Sequence, residues 1–289
     1  MTSEPVGAAP EPPVAQPSAA GPSTGRVVAL RRYPVKSMLG EELAESVIGR
    51  GGVEGDRALA LVDTETGRVA TAKHPRLWRG LLQLRASRSG AAVRITLPDG
   101  RSVEASDAKV HEVLSGAIGR SVQLTGTRPD GATVERPAPE DVLDHGVEAD
   151  VPFETLEIAQ GTPGSAFVDY ASVHLITTAT LERIGAEALR YRPNVVVETS
   201  GAPFAENEWV GRELTIGEVR LRVTLPTPRC AVPTLEHGDL PRAAHALRVP
   251  LAENRVEVPG FGVLPCAGVY AEVVEAGTIR LGDPVVVLE

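Results

Sequence analysis

Apolar runs in this chain are short, and glycine or proline cuts nearly every one of them. The closing stretch shows the habit: "CAGVYAEVVEAGTIRLGDPVVVLE" is three β-type runs broken at "EAG" and at "GD". Val, Ile and Thr suit the pleated, half-buried surface of a strand, and Gly and Pro supply the turns between strands. With 29 glycines and 24 prolines in 289 residues, the chain reads as many short elements joined by turns. Aromatic residues are only 3 % of it, so its cores have to be built from Val, Leu, Ile and Ala. The pattern predicts a mostly β or α+β chain of β-barrel units with a few helices, rather than a doubly wound parallel sheet.

The first 25 residues, "MTSEPVGAAPEPPVAQPSAAGPSTG", have neither a basic start nor an apolar run. They are expected to be a disordered Pro/Ala-rich tail and not a secretory signal. "RVVALRRYPVKS" then begins as a strand and meets Pro34. "ALALVD" and "RVATAK" around "TETG" read as a hairpin, and so does "AVRITLPDGRSVEAS" with "PDG" as its turn. Val110, Val113, Leu114, Ala117 and Ile118 recur at helical spacing between a Ser106 or Asp107 N-cap and Gly119. Residues 126–165 fit a long connection holding one buried strand. "SVHLITT" reads as a strand, followed by a helix from Thr178 with Leu181, Ile184 and Leu189 facing inward. "NVVVE" is a strand, "ELTIGEVRLRVTL" a hairpin turning near Gly217 and Glu218, and "DLPRAAHALR" a short helix.

The formal net charge of −9 excludes the basic surface that a nucleic-acid binder needs. No run of about 18 apolar residues occurs, so no membrane span is expected. Two cysteines without an export signal point to a reducing, cytoplasmic setting and free thiols, with a Cys230–Cys266 disulfide as the alternative.

One of those thiols sits in "TLPTPRCAVPTLEHG". Cys230 follows Arg229 at the end of a strand-like run, between Pro228 and Pro233. Nearby positive charge favours the thiolate, which is a nucleophile and a soft metal ligand. The competing reading is a small buried apolar side chain, the usual fate of a free cysteine. Zinc fits poorly, because the two cysteines are far apart and neither His237 nor His245 pairs closely with them. No G-x-S-x-G occurs, and "GFGVLPCAG" follows no clear strand, so neither a hydrolase elbow nor a dinucleotide loop is indicated. "YPVKS" places Lys36 and Ser37 after a strand, "GRGGVEGDRALALVD" places Arg57 at the start of one, and "RYRPNVVVE" brings Arg190, Arg192 and Asn194 to a strand entrance. Each alone is turn chemistry and surface charge. Together they suit a ligand with a phosphate and several ring donors and acceptors.

In sequence order, "YPVKS", "GVEGDRALALVD", "RPNVVVE", "FAENEWVGRELTIGEVRL", "PRCAVPTLEHG" and "GTIRLGDPV" resemble the MOSC family. The likeness is greatest to its two-part members of the amidoxime-reducing type, and it covers nearly everything after the tail. It implies an N-terminal MOSC β-barrel domain over residues 26–125 and a MOSC domain over 126–289. It also implies a molybdenum cofactor, Mo-molybdopterin, held between the two. In that likeness Cys230 matches the catalytic cysteine whose sulfur ligates molybdenum. Lys36, Ser37 and Arg57 match positions around the pterin phosphate, and Arg192 and Asn194 match cofactor contacts. Thr227 and Arg229 flank the ligand, Tyr270 matches an aromatic near the cofactor, and Ser172 and His174 fall where a further contact is expected. The implied activity is reduction of N-oxygenated small molecules, with electrons from a separate electron-transfer protein. The alternative is a sulfur-carrier or sulfurtransferase accessory protein using a Cys230 persulfide, and a third reading is a binding module that keeps the fold without chemistry. Ala58 and Leu59 stand where relatives carry an aromatic, Lys73 and His74 where they carry Arg-Gln, and residues 249–268 align poorly. These departures fall on loops that would shape the cleft mouth.

Overall fold

A computed structural model describes residues 24–160 and 164–288 of the protein. The tail expected over residues 1–25 lies outside the described residues, apart from Thr24 and Gly25.

The N-terminal part begins with β1 (Gly25–Arg32), on which β2 (Glu41–Leu43) folds back, and a small ladder of β3 (Glu45–Gly49) and β4 (Gly52–Val53). β5 (Ala60–Asp63) follows, then α1 (Pro75–Trp78), a single turn started by Pro75. β6 (Arg85–Ser89), β7 (Ala92–Thr96) and β8 (Ser102–Glu104) form a meander, with the expected hairpin between the last two. α2 (Val110–Ile118) ends, as read, on Gly119 in the left-handed conformation. It starts later than expected, because the Asp107 carboxylate accepts from the Lys109 N–H at 2.8 Å and Lys109 takes the cap position. β9 (Val122–Thr125) is the ladder partner of β5, whereas the expected "TETG" hairpin survives as one bridge between Val62 and Val69. The elements from β5 to β9, with α1 and α2, close over a core that includes Met38, Leu61, Leu81, Ile95 and Leu114.

The connection after β9 holds more structure than its composition suggested. β10 (Thr133–Pro137) and β11 (Phe153–Glu157) pair antiparallel across α3 (Pro139–His145), and β11 is largely exposed, so no apolar alternation marks it.

The C-terminal part supplies β12 (Val173–Thr177), α4 (Thr178–Ile184), α5 (Ala188–Tyr191), β13 (Val195–Glu198), β14 (Glu213–Ile216) and β15 (Val219–Pro228). α6 (His245–Glu253), β16 (Arg255–Val258), β17 (Gly262–Glu275), β18 (Gly277–Arg280) and β19 (Pro284–Val287) complete the chain. Thr177 caps α4 by accepting from the Thr180 N–H, and Gly185 ends it. Leu189 therefore falls in α5 and is only partly buried, while Arg190 and Tyr191 turn inward. The helix expected over "DLPRAAHALR" begins only at His245.

Seven strands close into a barrel in the order β12–β13–β1–β19–β14–β15–β17, and β17 pairs back to β12. The β12–β13 pair is parallel and the other pairs are antiparallel. Closure leaves no free edge within the ring. Val27 and Leu30 of β1 join Leu175, Val197, Leu214, Leu221 and Val285 in the barrel core. Burying each such side chain contributes about 1.5–3 kcal/mol.

Candidate functional site

Strand ends converge on one cleft. The loop after β1 brings Lys36 and Ser37, the turn before β5 brings Arg57, and the approach to β13 brings Arg192 and Asn194. β12 contributes His174, opposite Tyr270 of β17 in register. Arg229 and Cys230 enter where β15 ends. The cleft encloses about 1320 Å³ of empty space including its open mouth. Its described lining carries seven lysines and arginines against two carboxylates, Glu157 and Asp169, in a chain whose net charge is −9. That local inversion of sign is what an anionic ligand requires.

The cations are held by backbone and by ring faces. Arg57 adopts φ 47°, pairs with Asp56, and donates from Nη2 to the Arg192 carbonyl at 3.1 Å. Arg192, at φ 55°, donates from Nη1 to the Met38 carbonyl at 2.6 Å. Both guanidinium groups lie over the ring of Tyr33, at 5.1 and 4.3 Å from its centroid. Burial opposes the charge on Arg57, but Asp56 overrules it and the pKa is raised. Burial and the neighbouring Arg57 instead lower Arg192 to about 10. The Arg192 Nη2 is buried without a hydrogen-bond partner. A buried donor left unpaired is costly, and an acceptor on a ligand would relieve it.

Lys36 is buried, and its ammonium donates to the Phe167 carbonyl at 2.9 Å and to Asp169 at 2.5 Å. Burial lowers its pKa to about 8, against the support of Asp169. Lys73 reaches the other Asp169 oxygen at 3.1 Å. Burial works to raise the Asp169 carboxyl, yet the two lysines hold it well below the usual range. The Ser37 hydroxyl accepts from the Ala72 N–H at 3.1 Å.

Around the thiol, Arg229 donates from Nε to the Ala267 carbonyl at 2.9 Å and lies over the Tyr191 ring at 5.3 Å. Its Nη2 meets His174 Nε2 at 2.6 Å, and burial, then Arg229 itself, keeps His174 neutral far below its usual range. With a guanidinium as the donor, that imidazole nitrogen is the acceptor. The Asn194 carboxamide accepts from the His174 N–H at 3.1 Å and donates to the Arg31 carbonyl at 3.3 Å, locking β12 to β13 and β1. Gly268 makes this packing possible. At φ 77°, a Cβ there would sit 2.4 Å from the Leu175 carbonyl oxygen and 2.7 Å from His174 Nε2.

Cys230 is half-buried on the cleft wall, and both cysteines are free thiols. The bond weighed between Cys230 and Cys266 is therefore absent. Cys266 is fully buried, and burial pushes its thiol up to about 12, which suits an inert core side chain. Two residues singled out from the sequence do not line the cleft. Ser172 is buried and its hydroxyl donates to the Ala271 carbonyl at 3.4 Å. Thr227 is buried with its hydroxyl unpartnered. Sequence reasoning missed Tyr33, Asp56 and Asp169. The first two lie inside motifs already noted, beside Lys36 and Arg57, whereas nothing in "FVDYAS" marks Asp169.

Among the described residues no group of three or more His, Cys, Asp or Glu could hold a metal ion. One thiol in a cationic cleft fits a metal that arrives on an anionic carrier supplying its other ligands. The residues present suit such a group: an excess of cations, an unpaired buried guanidinium nitrogen and a single accessible sulfur.

Fold and site together define a β-barrel protein with a cationic thiol cleft at its strand ends. Residues 24–132 match the MOSC N-terminal beta barrel domain and residues 159–286 match the MOSC domain. The chain thus carries both a MOSC N-terminal beta barrel domain and a MOSC domain. Mitochondrial amidoxime-reducing component 1 of Mus musculus is 29 % identical over 133 residues, which is 43 % of this chain and 38 % of that protein. Mitochondrial amidoxime reducing component 2 of Rattus norvegicus is 33 % identical over 132 residues, 42 % of this chain and again 38 % of the relative. The match thus spans well under half the length of these relatives. Among solved structures, the YUAD protein from Bacillus subtilis superposes with a TM-score of 0.42 at 11 % identity, over 91 % of this chain and 94 % of that one. No helix of the described residues is long and apolar enough to cross a membrane.

Proposed function

We propose that this protein is a molybdenum-cofactor-dependent reductase of N-oxygenated small molecules, with Cys230 as the protein's ligand to the metal. The observation that carries the reading is the pairing of a half-buried thiol with a strong local excess of cations. The names of the relatives point the same way. Such a cofactor supplies two-electron oxygen-atom transfer, which with two protons takes an N–OH group to N–H and water.

The chain's own residues bind, orient and shield. Lys36, Ser37, Arg57 and Arg192 bind the phosphate-bearing carrier, and Arg192 Nη2 gains the acceptor it lacks. Asn194, just before β13, and Tyr270 of β17 frame it. Arg229 sets the end of β15 through its bond to the Ala267 carbonyl and so positions the neighbouring Cys230. His174 fixes the Arg229 fork by accepting at Nε2, and so orients rather than donates a proton there. Ser172, just before β12, and Thr227 of β15 support the wall from behind. Lys36, whose pKa burial lowers to about 8, becomes more fully charged against the bound phosphate. We assign the electrons to a separate electron-transfer protein.

The test is to purify the protein from a host that makes the cofactor and to analyse metal, pterin and intact mass. Near-stoichiometric molybdenum with pterin is expected. Cys230→Ala is expected to abolish turnover and leave the circular dichroism spectrum unchanged. A metal-free protein carrying a persulfide mass on Cys230 would instead identify a sulfur carrier and overturn the reductase reading.

A further inference from the structure

The tip of the β16–β17 hairpin overhangs the cleft with an aromatic ring. Phe261 stands between Gly260 and Gly262, both at positive φ, of 81° and 80°, and its N–H closes the turn onto the Val258 carbonyl at 2.8 Å. It lines the cleft yet is 44 % exposed. An apolar ring left half in water loses the free energy its burial would gain. The ring is not loose: it meets the ring of Tyr170 edge-on, with centroids 5.8 Å apart at 81°. Tyr170 is followed by Tyr270 at 6.1 Å, and Tyr270 by the His174 imidazole at 5.7 Å. His174 Nε2 is 2.6 Å from the guanidinium of Arg229, the residue before Cys230. A row of ring faces and edges thus runs from the solvent mouth to the arginine beside the thiol. The whole chain has four Phe and four Tyr, and three of those eight stand in this row.

We propose that Phe261 is a specificity residue. With Tyr170 it forms the outer wall of the substrate passage and selects N-oxygenated compounds that carry a flat aromatic group over aliphatic ones. The inference rests on the reading of this cleft as the site of N–O reduction. A ligand ring packed edge-on or offset against the two residues gains about tenfold in affinity.

A matched pair of probes separates this from general tightness: benzohydroxamic and acetohydroxamic acid carry the same N–OH group and differ only in phenyl against methyl. Calorimetry on the molybdenum-loaded protein is expected to give about tenfold tighter binding of the benzo compound. In Phe261→Ala the preference is expected to shrink to about twofold or less, with acetohydroxamic acid unaffected, and Phe261→Tyr is expected to keep it. Equal affinities in the wild type, no binding of either acid, or a preference intact in Phe261→Ala would overturn the proposal. Turnover of the same two acids is read separately. If neither is reduced while the binding preference still follows Phe261, the reductase reading fails and the aromatic wall stands.

Discussion

Lys36 is the residue whose charge is most finely balanced, because burial lowers its pKa to about 8 and only Asp169 offsets that. A bound anion favours the charged ammonium, so it raises this pKa and binds more tightly below about pH 8 than above it. Calorimetric titration with sulfate, whose own charge is constant over this range, is expected to show affinity falling as pH rises through that value. Asp169→Asn is expected to move that fall in affinity to lower pH, since it removes the carboxylate that supports the Lys36 ammonium against burial. A pH profile unmoved by the substitution would mean that Lys36 does not face the anion. At this scale the sequence was informative where chemistry is local. Cys230 beside Arg229, and Arg192 two residues before Asn194, announce themselves in short motifs. Asp169 does not, because its partner Lys36 lies 133 residues away and only the fold joins them.

Among the elements, β17 carries a tight constraint at Gly268. Gly268→Ala would force a Cβ against the Leu175 carbonyl and His174 Nε2 at a left-handed backbone position. A loss of about 2–4 kcal/mol in chemical denaturation is expected, together with weakened binding of the cofactor as the His174–Arg229 contact is displaced. A neutral outcome would show that β12 and β17 can separate without harm. Strands with clear apolar runs, such as β12, β13, β14 and β15, were legible because one property, burial, decides them. β11 was not, since its residues face mostly outward, and the α4–α5 break was not, since Gly185 ends a helix whose apolar spacing continues past it.

For the molecule as a whole, the decisive fact is that β1 completes a ring whose other strands come from residues 173–287. Residues 126–289 produced alone would leave β13 and β19 with open edges and the core without Val27 and Leu30. Such a fragment is expected to aggregate or to lack a cooperative thermal transition, and a sharp transition near that of the full chain would contradict the ring's dependence on β1. The β-rich character was readable from the punctuation by glycine and proline. The closure was not, because pairing β12 with β17 joins Val173 to Ala271, a separation no local pattern encodes. The proposed reductase chemistry depends on one sulfur, that of Cys230. X-ray absorption at the molybdenum edge, on wild type and on Cys230→Ser loaded in the same host, tests it most directly. One sulfur neighbour fewer is expected around the metal in the variant; an identical sulfur shell in both proteins, or a wild type without molybdenum, would contradict Cys230 as the ligand.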